Sequence, residues 1–323
     1  MMPRNGRDPE DPSRILTHAP PRPRVAAVDS PASQLELLSD AFIFPEAPRW
    51  HDGTLWVSDI HAHCVVRIDE SGAEVARHPV ADRVSGLGHL PNGDMLVVSM
   101  LDRSLLRLSA DGPTPHADLS PYCQGFLNDM VVDGRGYAYV GARNPGGGHE
   151  APLDAIILAT PDGERRVAAD AMQSPNGSVV TPDGAILIVA ETSQARLLAF
   201  TITGDGSLRD RRVFAEVPGR SPDGICLDAE GAIWFGSPMN AEFVRVHEGG
   251  RVSQTIPTPG MWAVACALGG RDGHSLFAVT GHNSVANITR MGSDRDADRT
   301  SEATGAVWVT RVEVPAAPSP SRR

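Results

Sequence analysis

Four side chains with oxygen donors occur at matching places along the chain. The segments Ser174-Pro175-Asn176-Gly177 and Ser221-Pro222-Asp223-Gly224 repeat one short motif in which an amide is exchanged for a carboxylate. Glu46 and Asn128 occupy the same place in two further segments, because each of the four residues stands seven or eight positions before a turn glycine. This regular spacing predicts that distant parts of the chain present these side chains to one site.

Two carboxylates and two amide carbonyls, with no His or Cys ligand beside them, are a donor set typical of a hard divalent cation. Ca²⁺ is the preferred assignment, and Mg²⁺, Mn²⁺ or Zn²⁺ are alternatives. Each residue also has a simpler explanation. Asn176 and Asp223 precede glycine and fit turn residues. Glu46 fits a solvated loop acid, and Asn128 fits a buried amide that ties blades together. The shared register favours one site over four unrelated roles.

The elements that would position these residues are short strands. Apolar runs of four to six residues alternate with Asp-Gly or Asn-Gly turns, and long helical periodicity is absent. Six such units follow one another with a period of roughly 40 to 50 residues, which is typical of propeller blades. We therefore predict an all-β fold, a six-bladed β-propeller with about four antiparallel strands per blade. Two packed β-sandwiches are the alternative, but a sandwich gives no reason for one spacing to recur six times.

In a propeller the first strand of each blade lines the central channel, so residues at the start of these strands meet at one mouth of the channel. We predict that the last blade combines Gln34–Leu38 with strands from the C-terminus, which closes the ring and hides its edges. The residues expected at the mouth are Glu46, Ser85 or Gly86, Asn128, Asn176, Asp223 and Trp262.

Composition limits the function. The chain has 323 residues and a formal charge of −11, and all 29 of its basic residues are Arg. A negative surface argues against nucleic-acid binding, and the absence of Lys excludes Schiff-base chemistry by a lysine. No segment is long and apolar enough to cross a bilayer. The widely spaced cysteines, two of them in apolar runs, predict reduced thiols rather than a disulfide frame.

The ends of the chain differ from the middle. The N-terminus contains Arg and Pro but lacks the apolar stretch of a secretory signal, which predicts a cytoplasmic protein. The predicted organisation is a disordered N-terminal tail (1–33), a propeller (34–315) and a disordered C-terminal tail (316–323). The pattern gives no indication of oligomeric state.

At these residues the sequence resembles the family of six-bladed propellers that includes regucalcin, gluconolactonase and the luciferin-regenerating enzyme. The resemblance spans about Leu37 to Val279, and four motifs carry it together: Pro45-Glu46-Ala47-Pro48-Arg49-Trp50, Asn128-Asp129-Met130-Val131-Val132-Asp133, Pro175-Asn176-Gly177 and Pro222-Asp223-Gly224-Ile225-Cys226-Leu227-Asp228. It implies that Glu46, Asn176 and Asp223 bind one divalent cation. Asn128 is then either a further ligand or a residue that faces the substrate.

The resemblance also implies an activity, the hydrolysis of a small-molecule lactone or ester by a gluconolactonase-like carboxylic ester hydrolase. A cation would polarise the lactone carbonyl while water adds to the carbonyl carbon. Asp223 is the candidate general base that accepts the water proton. Because a nearby cation keeps Asp223 ionised and weakens it as a base, a metal-bound hydroxide is the alternative nucleophile.

One departure from the family pattern concerns the substrate pocket. Sugar-lactone hydrolases of the regucalcin type have an Arg two positions before the Asn, where this chain has Phe126. Loss of that donor, with Trp262 and Met100 expected near the mouth, predicts a less polar lactone or ester. Arg143 either replaces the missing charge from the next strand end or remains a solvated loop residue.

Two other functions stay open on the sequence alone. One is a non-catalytic propeller that binds a metal or a protein partner. The other is a pathway enzyme on the same scaffold that catalyses isomerisation, dehydration or condensation. Product analysis with a proposed substrate distinguishes both from hydrolysis.

Overall fold

The computed structural model describes residues 34–109, 111–144, 153–284, 287, 288, 290, 303–318 and 320. The predicted N-terminal tail, residues 1–33, lies outside these ranges. Within them the chain forms 24 strands in six four-stranded antiparallel sheets, so the prediction of an all-β, six-bladed propeller is confirmed. Over the same residues, no helix combines the length and apolarity required to cross a membrane.

The strands follow the chain blade by blade, except that the first strand joins the last blade. In chain order they are β1 (Glu36–Phe42), β2 (Pro45–His51), β3 (Thr54–Asp59), β4 (Cys64–Ile68), β5 (Glu74–Pro79), β6 (Val84–His89), β7 (Met95–Ser99), β8 (Ser104–Ser109), β9 (Gly112–Asp118), β10 (Phe126–Val132), β11 (Ala138–Arg143), β12 (Asp154–Ala159), β13 (Arg165–Met172), β14 (Pro175–Val180), β15 (Ile186–Glu191), β16 (Arg196–Ile202), β17 (Leu208–Glu216), β18 (Ile225–Leu227), β19 (Ile233–Ser237), β20 (Glu242–Val246), β21 (Val252–Pro257), β22 (Trp262–Gly269), β23 (Ser275–His282) and β24 (Thr304–Arg311). Blades 1 to 5 are β2–β5, β6–β9, β10–β13, β14–β17 and β18–β21, and blade 6 combines β22, β23 and β24 with β1. Short 3₁₀ turns occur at Ser120–Tyr122, Thr192–Gln194 and Pro238–Asn240.

Pairing between the two ends of the propeller closes the ring. β1 lies antiparallel to β24, with Glu36 opposite Val309 and Phe42 opposite Gly305. The predicted closing strand is confirmed, although it runs from Glu36 to Phe42 rather than over Gln34–Leu38. The inner strands contact one another in the order β2, β6, β10, β14, β18, β22 and back to β2, so they surround a central channel.

The hydrophobic core lies between the faces of neighbouring blades. One cluster joins Tyr139 and Ile156 of blade 3 to Leu187 and Phe200 of blade 4, and the other clusters join other neighbouring blades in the same way. Burying one large apolar side chain contributes roughly 1.5–3 kcal/mol. The apolar runs of the inner and middle strands therefore hold each blade at a fixed angle to the next.

The outer strands differ because one face of each meets solvent. In β17, residues 209–213 are all exposed, and β5 alternates between exposed and half-buried positions. Such strands need no apolar run, since the blade face beneath them already supplies the core. This explains why the sequence pattern locates the inner strands and leaves these strands undefined.

A β-bulge interrupts the inner strand near its start in several blades. In each case the inner strand contains one residue more than the partner strand that it faces, which bends the strand and turns a side chain. The bulges lie between Glu46 and Arg49, Val84 and Leu87, Leu127 and Met130, and Pro175 and Ser178. The predicted ligands of blades 1, 3 and 4 thus lie within or beside a bulge.

The chain remains hydrogen-bonded to the propeller after β24. The amide of Ala316 donates to the carbonyl of Gly273 at 2.9 Å, and the amide of Ala317 donates to the carbonyl of Leu227 at 3.1 Å. Both alanines border a channel cavity of about 170 Å³. The first residues of the predicted C-terminal tail therefore contact blades 5 and 6 at the end of the channel opposite the predicted ligands.

The cysteines are free thiols, as predicted. The Sγ atoms of Cys226 and Cys266, on the neighbouring strands β18 and β22, lie 3.6 Å apart. Burial raises the pKa of the Cys226 thiol well above its ordinary value, which disfavours the reactive thiolate. These two residues therefore contribute to packing between blades.

Candidate active site

The four predicted ligands lie at the same end of the inner strands. Glu46 is the second residue of β2, Asn128 is the third of β10, Asn176 is the second of β14, and Asp223 precedes β18 by two residues. Contacts between these segments, described below, place the residues at one mouth of the channel. Four different blades each contribute one side chain.

The carboxylate of Asp223 is close enough to Glu46 for its charge to affect the pKa of Glu46. Burial is the main cause of a strongly raised pKa of Glu46, and the charges of Asp223 and Asp129 raise that pKa further. Burial likewise raises the pKa of Asp223 to about 8; Asp129 adds to the effect, whereas a hydrogen bond from Asn176 and the charge of Arg143 oppose it. Acids that are costly to ionise together favour a bound cation, because the cation compensates their charge.

Both asparagines donate their amide hydrogens to the protein. The Nδ2 atom of Asn128 lies 3.2 Å from the carbonyl oxygen of Pro175, and Nδ2 of Asn176 lies 3.2 Å from Oγ1 of Thr192. With the nitrogens engaged in this way, the side-chain oxygens remain as acceptors. A cation binds the amide oxygen and not the N–H groups, so a cation shared by Asn176 and Asp223 would replace the hydrogen bond between them.

Thr192 is a supporting residue that the sequence pattern did not reveal. Its hydroxyl accepts the bond from Asn176 and donates to the carbonyl oxygen of Pro222 at 2.8 Å. The residue lies in a 3₁₀ turn directly after β15, where a threonine carries no recognisable signal. Because it joins Asn176 to the residue before Asp223, it couples the ligands of blades 4 and 5.

The glycine that follows each ligand in the repeated motif has a packing role. The amide of Gly177 donates to the carbonyl of Asp223 at 3.2 Å, and a Cβ atom at Gly177 would lie 2.5 Å from that oxygen. A Cβ at Gly224 would lie 2.2 Å from the Cβ of Ala265. Neither glycine adopts a left-handed backbone conformation. The motif therefore marks close contact between inner strands, and the turn explanation does not apply to Asn176 or Asp223.

Glu46 is fixed by its own neighbours at the entry to β2. Its Oε2 atom accepts a bond from the amide of Ala47 at 3.0 Å, and Ala47 has a φ of 45°, a strained value for a residue other than glycine. Asp59 is buried and accepts bonds from the amides of Ile43 and Phe44 at 2.9 Å each. Asp59 thus holds the segment before Glu46, a role that an acid at a strand end does not reveal in the sequence.

Phe126 and Arg143 lie opposite each other on β10 and β11. The guanidinium carbon of Arg143 is 5.8 Å from the centroid of the Phe126 ring, and its Nε atom is 3.2 Å from a carboxylate oxygen of Asp154. The charge of Arg143 also lowers the pKa of Asp223. Arg143 is therefore anchored beside the mouth, next to the aromatic ring that occupies the position of the family arginine.

Trp262 and Met100, the other predicted substrate contacts, differ in exposure. Trp262 begins β22 and is half-buried, with part of its ring against the core. Met100 is 1% exposed and belongs to the same core cluster. Because its side chain packs between blades, a substrate contact by Met100 has no support in the structure.

The donor set at the mouth fits a hard divalent cation. Among the residues that the structure describes, no group of three or more His, Cys, Asp or Glu side chains is arranged to hold a metal ion. The predicted site is of a different kind, since it combines two carboxylates with two amides. Its two acids are costly to ionise together unless a positive charge compensates them, and its four donors are oxygen atoms, which Ca²⁺ and Mg²⁺ prefer.

The chain is a six-bladed propeller that carries carboxylates and amides at one mouth of its channel. This combination of fold and site indicates its class of protein. The chain belongs to the SMP-30/Gluconolactonase/LRE-like family, whose model matches residues 44–282. The resemblance inferred from the four motifs is confirmed.

Individual relatives agree with this assignment. The chain is 27% identical over 296 residues to a 6-deoxy-6-sulfogluconolactonase from Pseudomonas putida, covering 86% of this chain and 94% of that protein. The structure of a luciferin-regenerating enzyme superposes with a TM-score of 0.72 at 19% identity and covers 89% of this chain and 98% of that one. A gluconolactonase from Xanthomonas campestris gives a TM-score of 0.67 at 25% identity, with coverage of 88% and 90%. The common fold therefore extends over most of the chain.

Proposed function

We propose that the protein hydrolyses a lactone or small ester, using one divalent cation bound by Glu46, Asn128, Asn176 and Asp223. The observation that carries this proposal is the convergence of two acids with burial-raised pKa values and two amides whose nitrogens are already engaged. The relatives named as a sulfogluconolactonase and a gluconolactonase support the reaction class. Ca²⁺ is the cation that we propose, because it binds carboxylate and amide oxygens of the protein together, whereas Mg²⁺ usually keeps several waters.

The chain's own residues supply the proton transfer. When bound, the cation would polarise the lactone carbonyl and stabilise charge on its oxygen. Asp223 accepts a proton from water while the water oxygen bonds to the carbonyl carbon. The ring C–O bond then breaks, and the proton passes to the departing ring oxygen to give a hydroxy acid. Burial strengthens Asp223 as a base and cation charge weakens it, so its effective strength reflects both.

Phe126, Arg143 and Trp262 are the proposed substrate contacts. The two aromatic rings offer apolar surface, and the Arg143 guanidinium offers N–H donors beside the Phe126 ring. Replacement of the family arginine by Phe126 removes a bidentate donor for hydroxyl or carboxylate oxygens. We therefore propose a substrate with an apolar portion, in preference to a fully hydroxylated sugar lactone.

The test is a lactone panel with controlled metal content. Protein stripped with a chelator is reloaded with Ca²⁺, Mg²⁺, Mn²⁺ or Zn²⁺ and assayed by pH indicator on aliphatic, aromatic and sugar lactones. We expect turnover only after reloading, and losses of at least about 100-fold in Asp223→Ala and Asn176→Ala. Asp183→Ala, which changes an exposed turn acid in blade 4, is the matched control and keeps its activity.

Each alternative outcome has a defined meaning. Full activity of both site variants after chelation would contradict the proposal. Tight cation binding without turnover of any lactone would support a non-catalytic metal-binding propeller. An isomerised, dehydrated or condensed product in place of the hydroxy acid would support another reaction on the same scaffold.

A further inference from the structure

Arg49 joins the inner strands of three blades through one guanidinium group. Its Nε atom donates to the carbonyl of Leu87 at 3.0 Å, and its Nη2 atom donates to the carbonyl of Met130 at 2.8 Å and to Oδ1 of Asp129 at 2.9 Å. Its Nη1 atom donates to the carbonyl of Pro48 at 3.0 Å. The Asp129 side chain is 4% exposed and that of Arg49 is 19% exposed, so solvent competes little for these bonds.

The partners of this guanidinium stand at the ends of the inner-strand bulges. The bulge in β2 ends at Arg49 itself, the bulge in β6 ends at Leu87, and the bulge in β10 ends at Met130. Glu46 begins the first of these bulges, and Asn128 lies inside the third. A single side chain therefore connects three bends in the channel wall, two of which present predicted cation ligands.

Close backbone packing strengthens the same connection. A Cβ atom at Gly86, inside the β6 bulge, would lie 2.4 Å from the amide nitrogen of Met130. The amide of Met130 in turn donates to Oδ1 of Asp129 at 2.8 Å, the same oxygen that Arg49 contacts. The bulges of blades 2 and 3 are thus in direct contact, and Arg49 ties both of them to blade 1.

We propose that Arg49 is the positioning residue for the Glu46 and Asn128 half of the cation site, an inference that rests on the proposed function. Arg49 acts through the backbone of the bulges and contacts neither the cation nor the substrate. The other half of the site is held differently, by Thr192 and by the contact between Gly177 and Asp223. The two halves therefore have separate supports.

Arginine suits this task better than lysine. Its planar guanidinium carries five N–H donors in a rigid arrangement, which matches four acceptors in different directions. A lysine keeps the charge beside Asp129 but has three donors on a flexible stem. Residues that support metal ligands in this way typically change metal affinity about 10- to 100-fold when they are replaced.

The experiment measures Ca²⁺ binding by isothermal titration calorimetry on chelator-treated full-length protein. Arg49→Met removes all donors at similar length, and Arg49→Lys retains the charge. We expect the Kd for Ca²⁺ to rise at least about tenfold in Arg49→Met and by a smaller factor in Arg49→Lys. Thermal unfolding without added cation is recorded for every variant, so that a general loss of stability is measured separately.

Arg245→Met is the matched control. Arg245 is a buried arginine that, like Arg49, pairs with a buried aspartate, since its Nε atom lies 2.7 Å from Oδ2 of Asp228, but it belongs to the third strand of blade 5. We expect this variant to lose a comparable amount of thermal stability, with a Kd for Ca²⁺ within about twofold of the parent protein.

The outcomes separate this inference from the function on which it rests. If the parent protein binds no divalent cation, the proposed function fails. If the parent binds Ca²⁺ and both Arg49 variants bind it equally well, the positioning role is wrong and Arg49 only stabilises the fold. If Arg49→Met is unfolded, Arg49→Lys decides: unchanged affinity overturns the inference, and reduced affinity with the Arg245→Met affinity intact supports it.

Discussion

The substitution Asp223→Asn should show how much stability the folded protein loses when the Asp223 carboxyl group ionises. Burial raises the pKa of Asp223 from an ordinary value of 3.8 to about 8, so the folded protein holds this proton more tightly than the unfolded chain does. The stabilisation from that proton is fully present below about pH 4 and is lost as the pH rises through about 8. Asparagine has nearly the same shape as aspartate but does not titrate. The stability of the variant therefore does not fall through this group as the pH rises.

The size of the effect follows from the pKa. A tenfold change in proton affinity is worth about 1.4 kcal/mol, and the full change at Asp223 corresponds to roughly 6 kcal/mol as an upper limit. Solvent at the channel mouth screens part of it, so we expect about 2 kcal/mol between pH 5 and pH 8.5. For a chain of this size that is about 4 °C in Tm.

The assay is thermal unfolding of both proteins in chelator across this pH range. The stability advantage of Asp223→Asn over the parent should be small at pH 5 and about 2 kcal/mol larger at pH 8.5. Saturating Ca²⁺ should reverse the order, because binding at 100 times Kd stabilises the parent by about 2.7 kcal/mol and the variant lacks one carboxylate ligand. Parallel pH profiles in chelator, or equal stabilisation of both proteins by Ca²⁺, would refute the reasoning.

Three further predictions concern packing, specificity and the chain end. Gly177→Ala should raise the Kd for Ca²⁺ at least about tenfold, because the new methyl group meets the Asp223 carbonyl. Gly204→Ala is the control and should leave the Kd unchanged, because Gly204 is exposed and has no atom within 4 Å of the added Cβ. Equal calorimetric titrations of the two variants would count against the packing argument. Phe126→Arg should raise kcat/KM for gluconolactone relative to a simple aliphatic lactone by about tenfold, and an unchanged ratio would show that this position does not set specificity. Truncation after Pro315 removes the bonds that Ala316 and Ala317 donate to blades 6 and 5, and it should lower Tm by about 2–5 °C in differential scanning calorimetry while leaving the Kd for Ca²⁺ unchanged. An unchanged Tm would show that the segment contributes nothing to stability.

The sequence predicted the fold and the approach of the four oxygen donors because both depend on local repetition. A constant distance from Glu46, Asn128, Asn176 and Asp223 to a turn glycine is a consequence of equal blades, and equal blades bring equal positions to one channel mouth. The closing strand was predictable for a related reason, since a ring of sheets leaves no edge unpaired.

The burial of individual side chains, the outer strands and the residues that support the site depend on contacts between strands and blades, which a single sequence does not display. Met100 lies in an apolar stretch that suits a substrate pocket as well as a core, and only the folded chain shows that it is buried. The outer strand β17 is rich in charged residues, and its only consecutive apolar residues are Val213, Phe214 and Ala215. Thr192 and Asp59 act through backbone groups that are distant in sequence, and Arg49 connects bulges that appear only after the strands have paired.

Anomalous diffraction from crystals soaked in Mn²⁺ tests the central claim most directly, because it locates the cation without reference to activity. The account predicts one strong peak at the channel mouth, within about 2.6 Å of carboxylate oxygens from Glu46 and Asp223 and of the side-chain oxygens of Asn128 and Asn176. A mouth without a peak at saturating Mn²⁺, or a peak held by other residues, would contradict it.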